Sequence, residues 1–353
     1  MRRIAGLGLG PLLLAFAGAC STARPPSPIV LVHPPADPGG PPPDPVTADT
    51  VSVYAIRHLW LGDVDPVTGE PSTQAWRQLG FDIDGKATTK ASRDVCTLAP
   101  GAPWDAQDDG NGGVDNGFGE NVLPIIALAE GASFAQDLND SIASGLVTDL
   151  LVVRGLGSPT TASPLSAELL VGAPLGATPS WSGTDVWPID SSSVKDGDAT
   201  QPLLAFGSSF VTGSVFVAEP PSGDGEIALG VFRGAPWVIP IRHVQVAMTL
   251  SADGSTATNG ALSGLLPADR FLDVARRLAP TILSSLCGPD VWLSIAQQIE
   301  QSEDILLDGT NEPGQPCDAI SIGLGFDAVR VQMGPVVDVA PLGDECPPPD
   351  AGP

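Results

Sequence analysis

An acidic, glycine-rich stretch that reads DAQDDGNGGVDNGFGE begins at Asp105 and holds the clearest chemical pattern of the sequence. Carboxylates and side-chain amide oxygens recur along it at short intervals. Calcium takes about six to eight oxygen ligands from a flexible loop, and glycine allows the tight turns that such a loop needs. We therefore predict a calcium site with four side-chain ligands: Asp105, Asp109, Asn111 and Asp115.

The order of residues in this stretch resembles known calcium loops. DGNGGVDN, residues 109–116, resembles one calcium-binding repeat of thrombospondin type 3, with Asn111 where an Asp is usual. The start, DAQDDG, also resembles an EF-hand loop, although Asn116 stands where an EF-hand has Glu. The Gly113 carbonyl is a further candidate ligand. The alternative is an ordinary solvated turn, which uses the same residue types.

A second acidic stretch, GFDIDG, begins at Gly80. Asp82 and Asp84 lie two apart and share one side of an extended chain, so they are candidates to complete the same cation site. The alternative is a strand that ends in an Asp-Gly turn. Together with Cys96 and the DGNGGVDN stretch, this order resembles uncharacterised bacterial surface lipoproteins over about forty residues. That resemblance implies a secreted envelope protein and no known activity.

No complete catalytic motif accompanies these acids. The sequence has three His, His33, His58 and His243, and contains neither HExxH nor GxSxG. Its 41 acidic residues form many carboxylate pairs by chance, so a glycosidase-like pair is only a third hypothesis. We therefore favour a non-enzymatic protein and keep an anchored acidic hydrolase as an alternative.

The seven Trp offer a different chemistry. Trp181 and Trp187 flank a glycine-containing turn, and Trp237 follows in the same β-rich region. Exposed Trp rings stack on sugars, whereas buried Trp rings fill a β core. Carbohydrate binding or adhesion through Trp181 and Trp187 is therefore an alternative function, and solvent exposure decides between the two interpretations.

The first 20 residues, MRRIAGLGLGPLLLAFAGAC, are typical of an export signal. Two Arg precede an apolar stretch that is too short for a stable membrane span, and small residues directly precede Cys20. This arrangement resembles the lipobox of bacterial lipoproteins. The resemblance implies removal of residues 1–19, a lipid on Cys20 and a mature protein anchored in the outer membrane or at the cell surface. The alternative is an ordinary signal peptide cleaved near Ala19.

The remaining cysteines predict disulfides. With Cys20 set aside, four are left, and an even number in an exported chain predicts two bridges. The four are Cys96, Cys287, Cys317 and Cys346. Among the three pairings we favour Cys287–Cys317 with Cys96–Cys346, and buried free thiols are the alternative.

Composition divides the chain and limits its partners. Residues 20–49 are rich in Pro and predict a disordered, extended spacer behind the lipidated Cys. Residues 50–346 form the predicted single β-rich domain, and 347–353 a disordered tail.

The net charge of -25 argues against nucleic acid as a partner and favours divalent cations. Besides the membrane, reached through the lipid, envelope polysaccharide or protein are the partners left open.

Short apolar runs separated by Gly, Pro, Ser and Asp predict a body made mainly of strands. The predicted strands are 51–56, 146–156, 210–218, 226–232, 237–250, 256–262, 319–326 and 328–333. Helical spacing predicts two early pieces within 121–145, separated at Gly131, and late helices at 267–278 and 290–307. The predicted fold class is mainly β (α+β), a β-sandwich or jelly-roll-like body with an early helical insertion and two late helices.

The leading functional hypothesis combines these features. It is a non-enzymatic surface lipoprotein, anchored in the outer membrane, with a structural or recognition role. Calcium is its expected cofactor.

Overall fold

The computed structural model describes residues 34–66, 68–130, 134–219, 224–232, 234–282 and 284–340. The predicted signal peptide, Cys20, Cys346 and the tail at 347–353 lie outside the described residues. Within the described part, no helix has both the length and the hydrophobicity needed to span a bilayer.

The strands of the described chain form one sheet of ten. They are β1 (Val51–Trp60), β2 (Thr148–Arg154), β3 (Thr161–Gly172), β4 (Val186–Asp190), β5 (Leu204–Thr212), β6 (Val215–Ala218), β7 (Asp224–Phe232), β8 (Ala235–Leu250), β9 (Thr256–Pro267) and β10 (Ala319–Val337). All strands except β4 and β7 form a closed ring of antiparallel neighbours, because β1 bonds to both β2 and β10 and β3 bonds to both β2 and β5. Strand β4 runs parallel along β10, and β7 pairs with β8.

Strand β2 is buried on both faces. Leu151 and Val153 belong to the main core, whereas Leu150 and Val152 pack with Trp187 in a second core. Successive side chains of a strand point to opposite faces, so a strand covered on both sides has no need to alternate polar and apolar residues. This burial explains the continuous apolar run in β2.

Four helices lie in the described chain. They are α1 (Leu123–Glu130), α2 (Phe134–Ala143), α3 (Ala268–Ile282) and α4 (Pro289–Glu300). Helix α2 is fastened to β1 by Asn139, whose Oδ1 accepts the Leu59 amide at 2.8 Å and whose Nδ2 donates to the Leu59 carbonyl at 2.9 Å. Helix α3 packs against β8 and β9 and also contacts α4.

The predicted mainly β, α+β fold class is confirmed, with two early helices before β2 and two late helices before β10. Several predicted bounds were wrong, and three of the differences change an element. The run 210–218 is a hairpin of β5 and β6, because Gly213 and Ser214 both take the positive φ that a tight hairpin turn needs. The runs 319–326 and 328–333 are one strand, since a register shift between Phe326 and Ala328 absorbs the break in the pattern. Helix α4 ends at Glu300 and does not extend to 307.

A disulfide joins Cys96 to Cys317, with their Cα atoms 5.2 Å apart. The favoured pairing of Cys317 with Cys287, and of Cys96 with Cys346, is therefore wrong. The fold instead brings Cys317 beside the segment that holds Cys96, where the Cys317 amide donates to the Thr97 carbonyl at 3.0 Å. Cys287 is also disulfide-bonded, and its partner lies outside the described residues.

The last residues of the predicted spacer bind to the body. The Val46 amide donates to the Ser163 carbonyl at 2.7 Å, and the Ala48 amide donates to the Gly155 carbonyl at 3.0 Å. The prediction of a free spacer up to residue 49 is therefore wrong for this segment. No Pro follows Pro45 in this segment, so the amides of residues 46–49 are available as hydrogen-bond donors.

Asp149 of β2 is a buried acid that makes the stability of the protein depend on pH. Its Oδ1 accepts the Ala228 amide of β7 at 2.9 Å, and burial raises its pKa from 3.8 to about 8. The folded protein thus keeps a proton that the unfolded chain releases near pH 4, so this group lowers the free energy of unfolding as the pH rises from about 4 to 8.

We expect Asp149→Asn to remove this dependence, because the amide keeps an acceptor for Ala228 but does not titrate. Between about pH 5 and 8, the free energy of unfolding of the variant should rise relative to wild type by up to ~1.4 kcal/mol per pH unit. Urea denaturation at several pH values measures it. A difference that stays constant across this range contradicts the assignment.

Candidate metal site

Three aspartates from two loops between β1 and α1 form an acidic cluster. Asp82 and Asp84 come from the GFDIDG stretch, and Asp115 from the glycine-rich stretch. One carboxylate oxygen of each lies within 4.8 Å of the other two. Asp82 is exposed and Asp84 half-buried, whereas Asp115 is only 2% exposed. The two acidic stretches therefore meet at one place in the fold, and the cluster can hold a metal ion.

Each of these carboxylates uses one oxygen to hold the backbone. Asp115 Oδ2 accepts the Ile83 amide at 2.5 Å. Asp82 Oδ1 accepts the amide three residues further on, and Asp84 Oδ1 the amide two residues further on, each at 2.7 Å. Within the described residues, Asp84 Oδ2 is buried and has no hydrogen-bond partner. A buried carboxylate oxygen without a partner is costly, and a bound cation would remove that cost.

Gly113 lets the two loops approach closely. Its φ is +91°, and a Cβ atom there would lie 2.6 Å from the Lys86 carbonyl oxygen and 3.1 Å from Asp82 Oδ2. Only glycine fits so close to another backbone in this conformation. The Lys86 carbonyl therefore lies next to the cluster and adds a backbone oxygen of the kind that calcium uses.

Asp109 links the same two loops at a second point, through Thr88. Its carboxylate accepts the Thr88 amide, and its own amide donates to the Thr88 carbonyl at 3.0 Å. The negative charges of Asp84 and Asp82 act on Asp109, which places it in the electrostatic environment of the cluster. Of the predicted ligands, the fold brings Asp115 together with Asp82 and Asp84, whereas Asp109 lies outside this group of three.

The cluster concentrates negative charge without a basic partner. Burial raises the pKa of Asp115 to about 9, and the charge of Asp84 adds to that shift. Burial also raises the pKa of Asp109 to about 8, against the effect of the Thr88 amide. Among the described residues, no Lys or Arg forms an ion pair with any of these four carboxylates. The nearby Lys86 Nζ donates instead to backbone carbonyls, including that of Asp94 at 2.6 Å.

Besides Asp109, two more of the four predicted ligands lie outside the cluster. Asp105 is exposed, and its carbonyl accepts the Asp108 amide at 2.9 Å in a turn. Asn111 is exposed as well, at the tip of a narrow loop closed by a 2.8 Å bond from the Gly110 amide to the Val114 carbonyl. The prediction assumed one continuous loop around the ion. The chain instead turns back at Asn111, and the acidic cluster includes carboxylates from a second segment.

Asn116 is the residue that fastens the glycine-rich loop to the body, and sequence reasoning missed this role. It is buried, and its Nδ2 donates to three carbonyls at 3.0 to 3.2 Å, those of Trp76, Leu79 and Gly323. Its Oδ1 accepts the amides of Gly119 and Gly323, each at 3.0 Å. The side chain thus links the loop, the segment before it and β10. Nothing distinguishes Asn116 from other turn residues in the sequence.

A second buried anchor lies beside it. Asp304 Oδ1 accepts the Ser321 amide at 2.8 Å, and the Ser321 hydroxyl accepts the Gly117 amide at 2.7 Å. Burial raises the pKa of Asp304 to about 7. Because Ser321 belongs to β10, this chain of bonds also holds the acidic loop against the sheet.

Trp187 does not form a sugar-stacking surface, so that part of the alternative is wrong. It is 0% exposed, and its Nε1 donates to the Ala173 carbonyl at 2.9 Å. Trp181 is half-buried and packs on Trp187 with ring centroids 5.4 Å apart. The β4 segment buries Trp187 against the outer face of β2, where a large apolar ring fills the second core.

Comparison with known proteins yields no match to a family model, a curated protein or a solved structure. The interpretation of the cluster therefore depends on its own chemistry. Its ligand atoms are carboxylate oxygens, with a backbone carbonyl close by. Oxygen ligands of this kind suit calcium, magnesium or manganese, whereas zinc and copper sites use His or Cys.

We expect Asn116→Ala to destabilise the protein strongly, because it leaves buried amides and carbonyls of three segments without partners. Each such group costs about 1–3 kcal/mol, so the free energy of unfolding should fall by at least about 3 kcal/mol in chemical denaturation.

The control is Asn111→Ala, the same change at the exposed tip of the same loop. It should alter stability by less than about 0.5 kcal/mol. Equal effects of the two substitutions would show that Asn116 does not anchor the loop.

Proposed function

We propose that this protein is an exported, lipid-anchored surface protein whose acidic cluster binds calcium in a structural role. The observation that carries the proposal is the convergence of Asp82, Asp84 and Asp115 from two loops. Each carboxylate uses one oxygen for the backbone and keeps the other for a ligand. The buried, unpartnered Asp84 Oδ2 supports the presence of a cation at this point.

Calcium is the cation that suits these donors best. It accepts carboxylates and backbone carbonyls from flexible loops, whereas magnesium demands a near-ideal octahedron and keeps several waters. The cluster offers three carboxylates, the Lys86 carbonyl lies beside it, and Asp109 adds negative charge. The net charge of -25 raises the local concentration of divalent cations further.

A structural role fits the position of the site. Asp115 is buried, so a large substrate has no access to it. The ion would join the 82–88 loop to the glycine-rich loop, and Asn116 already ties the latter to β10. The Cys96–Cys317 disulfide fastens the next segment of the chain to residues just before β10. Cation, disulfide and Asn116 would thus hold a loop-rich region that has little regular structure of its own.

The proposed location depends on the lipobox at Cys20, and the disulfide supports it. Disulfides persist in oxidising compartments outside the cytoplasm. The lipid on Cys20 would attach the protein to the outer membrane, with the Pro-rich residues after it as a spacer. Envelope polysaccharide or protein are the partners expected for such a surface protein.

The test is a thermal melt of the mature chain in calcium at about a hundredfold excess over Kd and in chelator. Binding to the folded form alone adds about 2.7 kcal/mol, which corresponds to a rise in Tm of about 4 °C for a chain of this length. Asp84→Asn should lose this rise. In chelator the same variant should melt at or above the wild-type temperature, because it relieves the repulsion between carboxylates.

Asp105→Asn is the matched control, since it removes one charge from the same region outside the cluster. It should keep the full response to calcium. Identical melts of the wild type in calcium and in chelator would refute calcium binding, and loss of the response in Asp105→Asn would place the ion elsewhere.

A further inference from the structure

An apolar cleft of about 600 Å³ lies between α1, α3 and α4, and none of the clustered aspartates lines it. Strand β8 supplies part of its lining through Trp237. The other apolar walls come from the three helices and include Ile126, Phe271, Leu278, Trp292 and Ile295. A concave apolar site of this size is typical of small-molecule binding.

The cleft exposes apolar side chains that a folded domain normally covers. Leu128 of α1 is 89% exposed and Val291 of α4 is 43% exposed, and both line the cleft. Helix α1 reads LPIIALAE and has no polar face over most of its length. A helix that is apolar on all sides is normally buried, so α1 presents a surface suited to an apolar ligand.

Trp237 adds an observation that itself points to a ligand. The residue is 4% exposed, and its ring packs on Phe134 with centroids 4.7 Å apart. Within the described residues, its buried Nε1 has no hydrogen-bond partner. Buried Trp N–H groups almost always have an acceptor. An oxygen on a molecule bound in the cleft would supply the missing acceptor.

The rim of the cleft limits the charge of that molecule. Asp290, Ser294 and Gln298 follow one another at four-residue spacing along α4 and form its polar edge. The carboxylate of Asp290 and the net charge of -25 repel an anionic head group. A hydroxyl or ester oxygen meets no such repulsion.

We infer that this cleft binds a single-chain amphiphile: a long hydrocarbon chain that carries an uncharged oxygen acceptor for Trp237. The inference is independent of calcium, because no residue of the acidic cluster lines the cleft. It gives the protein a recognition activity towards lipid-like molecules. Long-chain alcohols and esters are the chemical class that it would take.

The test is calorimetric titration of the full mature chain with n-alkanols of six to twelve carbons. Cys20→Ser is included so that no acyl chain of the protein competes. The affinity should tighten about fourfold for each added methylene until the cleft is full. The alkanoate of the same length should bind at least about tenfold more weakly than the alkanol, because its charge is repelled.

Trp237→Phe should weaken alkanol binding about tenfold, because it removes the donor but keeps an apolar ring. Trp104→Phe is the control, since Trp104 is exposed beside Lys90 and does not line the cleft. Lack of saturable binding by any alkanol would overturn the inference, and so would equal affinity for alkanoate and alkanol. Self-association that alkanols fail to reverse would assign the cleft to a second copy of the chain and would also overturn it.

Discussion

Repulsion between converging carboxylates is the constraint on which the loop-rich region of this protein depends. Asp82, Asp84 and Asp115 converge within 4.8 Å, and Asp109 lies in their field. No basic side chain of the described residues forms an ion pair with any of them. Such a cluster either keeps protons, since burial and the charge of Asp84 raise the pKa of Asp115 to about 9, or takes up a cation. A divalent ion would satisfy the carboxylates and close the two loops in one step.

The rest of the fold supplies a rigid support for these loops. The ring of antiparallel strands closes on itself, and β10 lies within it between β1 and β9. Asn116 and Asp304 attach the acidic loop to β10 through Gly323 and Ser321. The site thus combines loops without regular structure with fixed anchors, which set how closely the carboxylates approach one another.

Local patterns in the sequence predicted much of this structure. Most strands and all four helices follow from periodicity, and the acidic residues that carry the site follow from the Asp-Gly pattern. Contacts between distant segments did not follow. Asn116 meets Gly323, and Cys96 meets Cys317, through a sheet whose strand order the sequence does not reveal. Asp105 and Asn111 fit a calcium loop by spacing alone, but the chain reverses at Asn111 and turns both away.

A crystal structure determined in millimolar calcium tests the central claim most directly. The account predicts one ion with oxygen atoms of Asp82, Asp84 and Asp115 at about 2.3–2.6 Å, the distance typical of calcium. Asp84 Oδ2, which has no hydrogen-bond partner among the described residues, should be one of the ligands. A structure in which the three carboxylates hold only water or protein partners under these conditions would contradict the account.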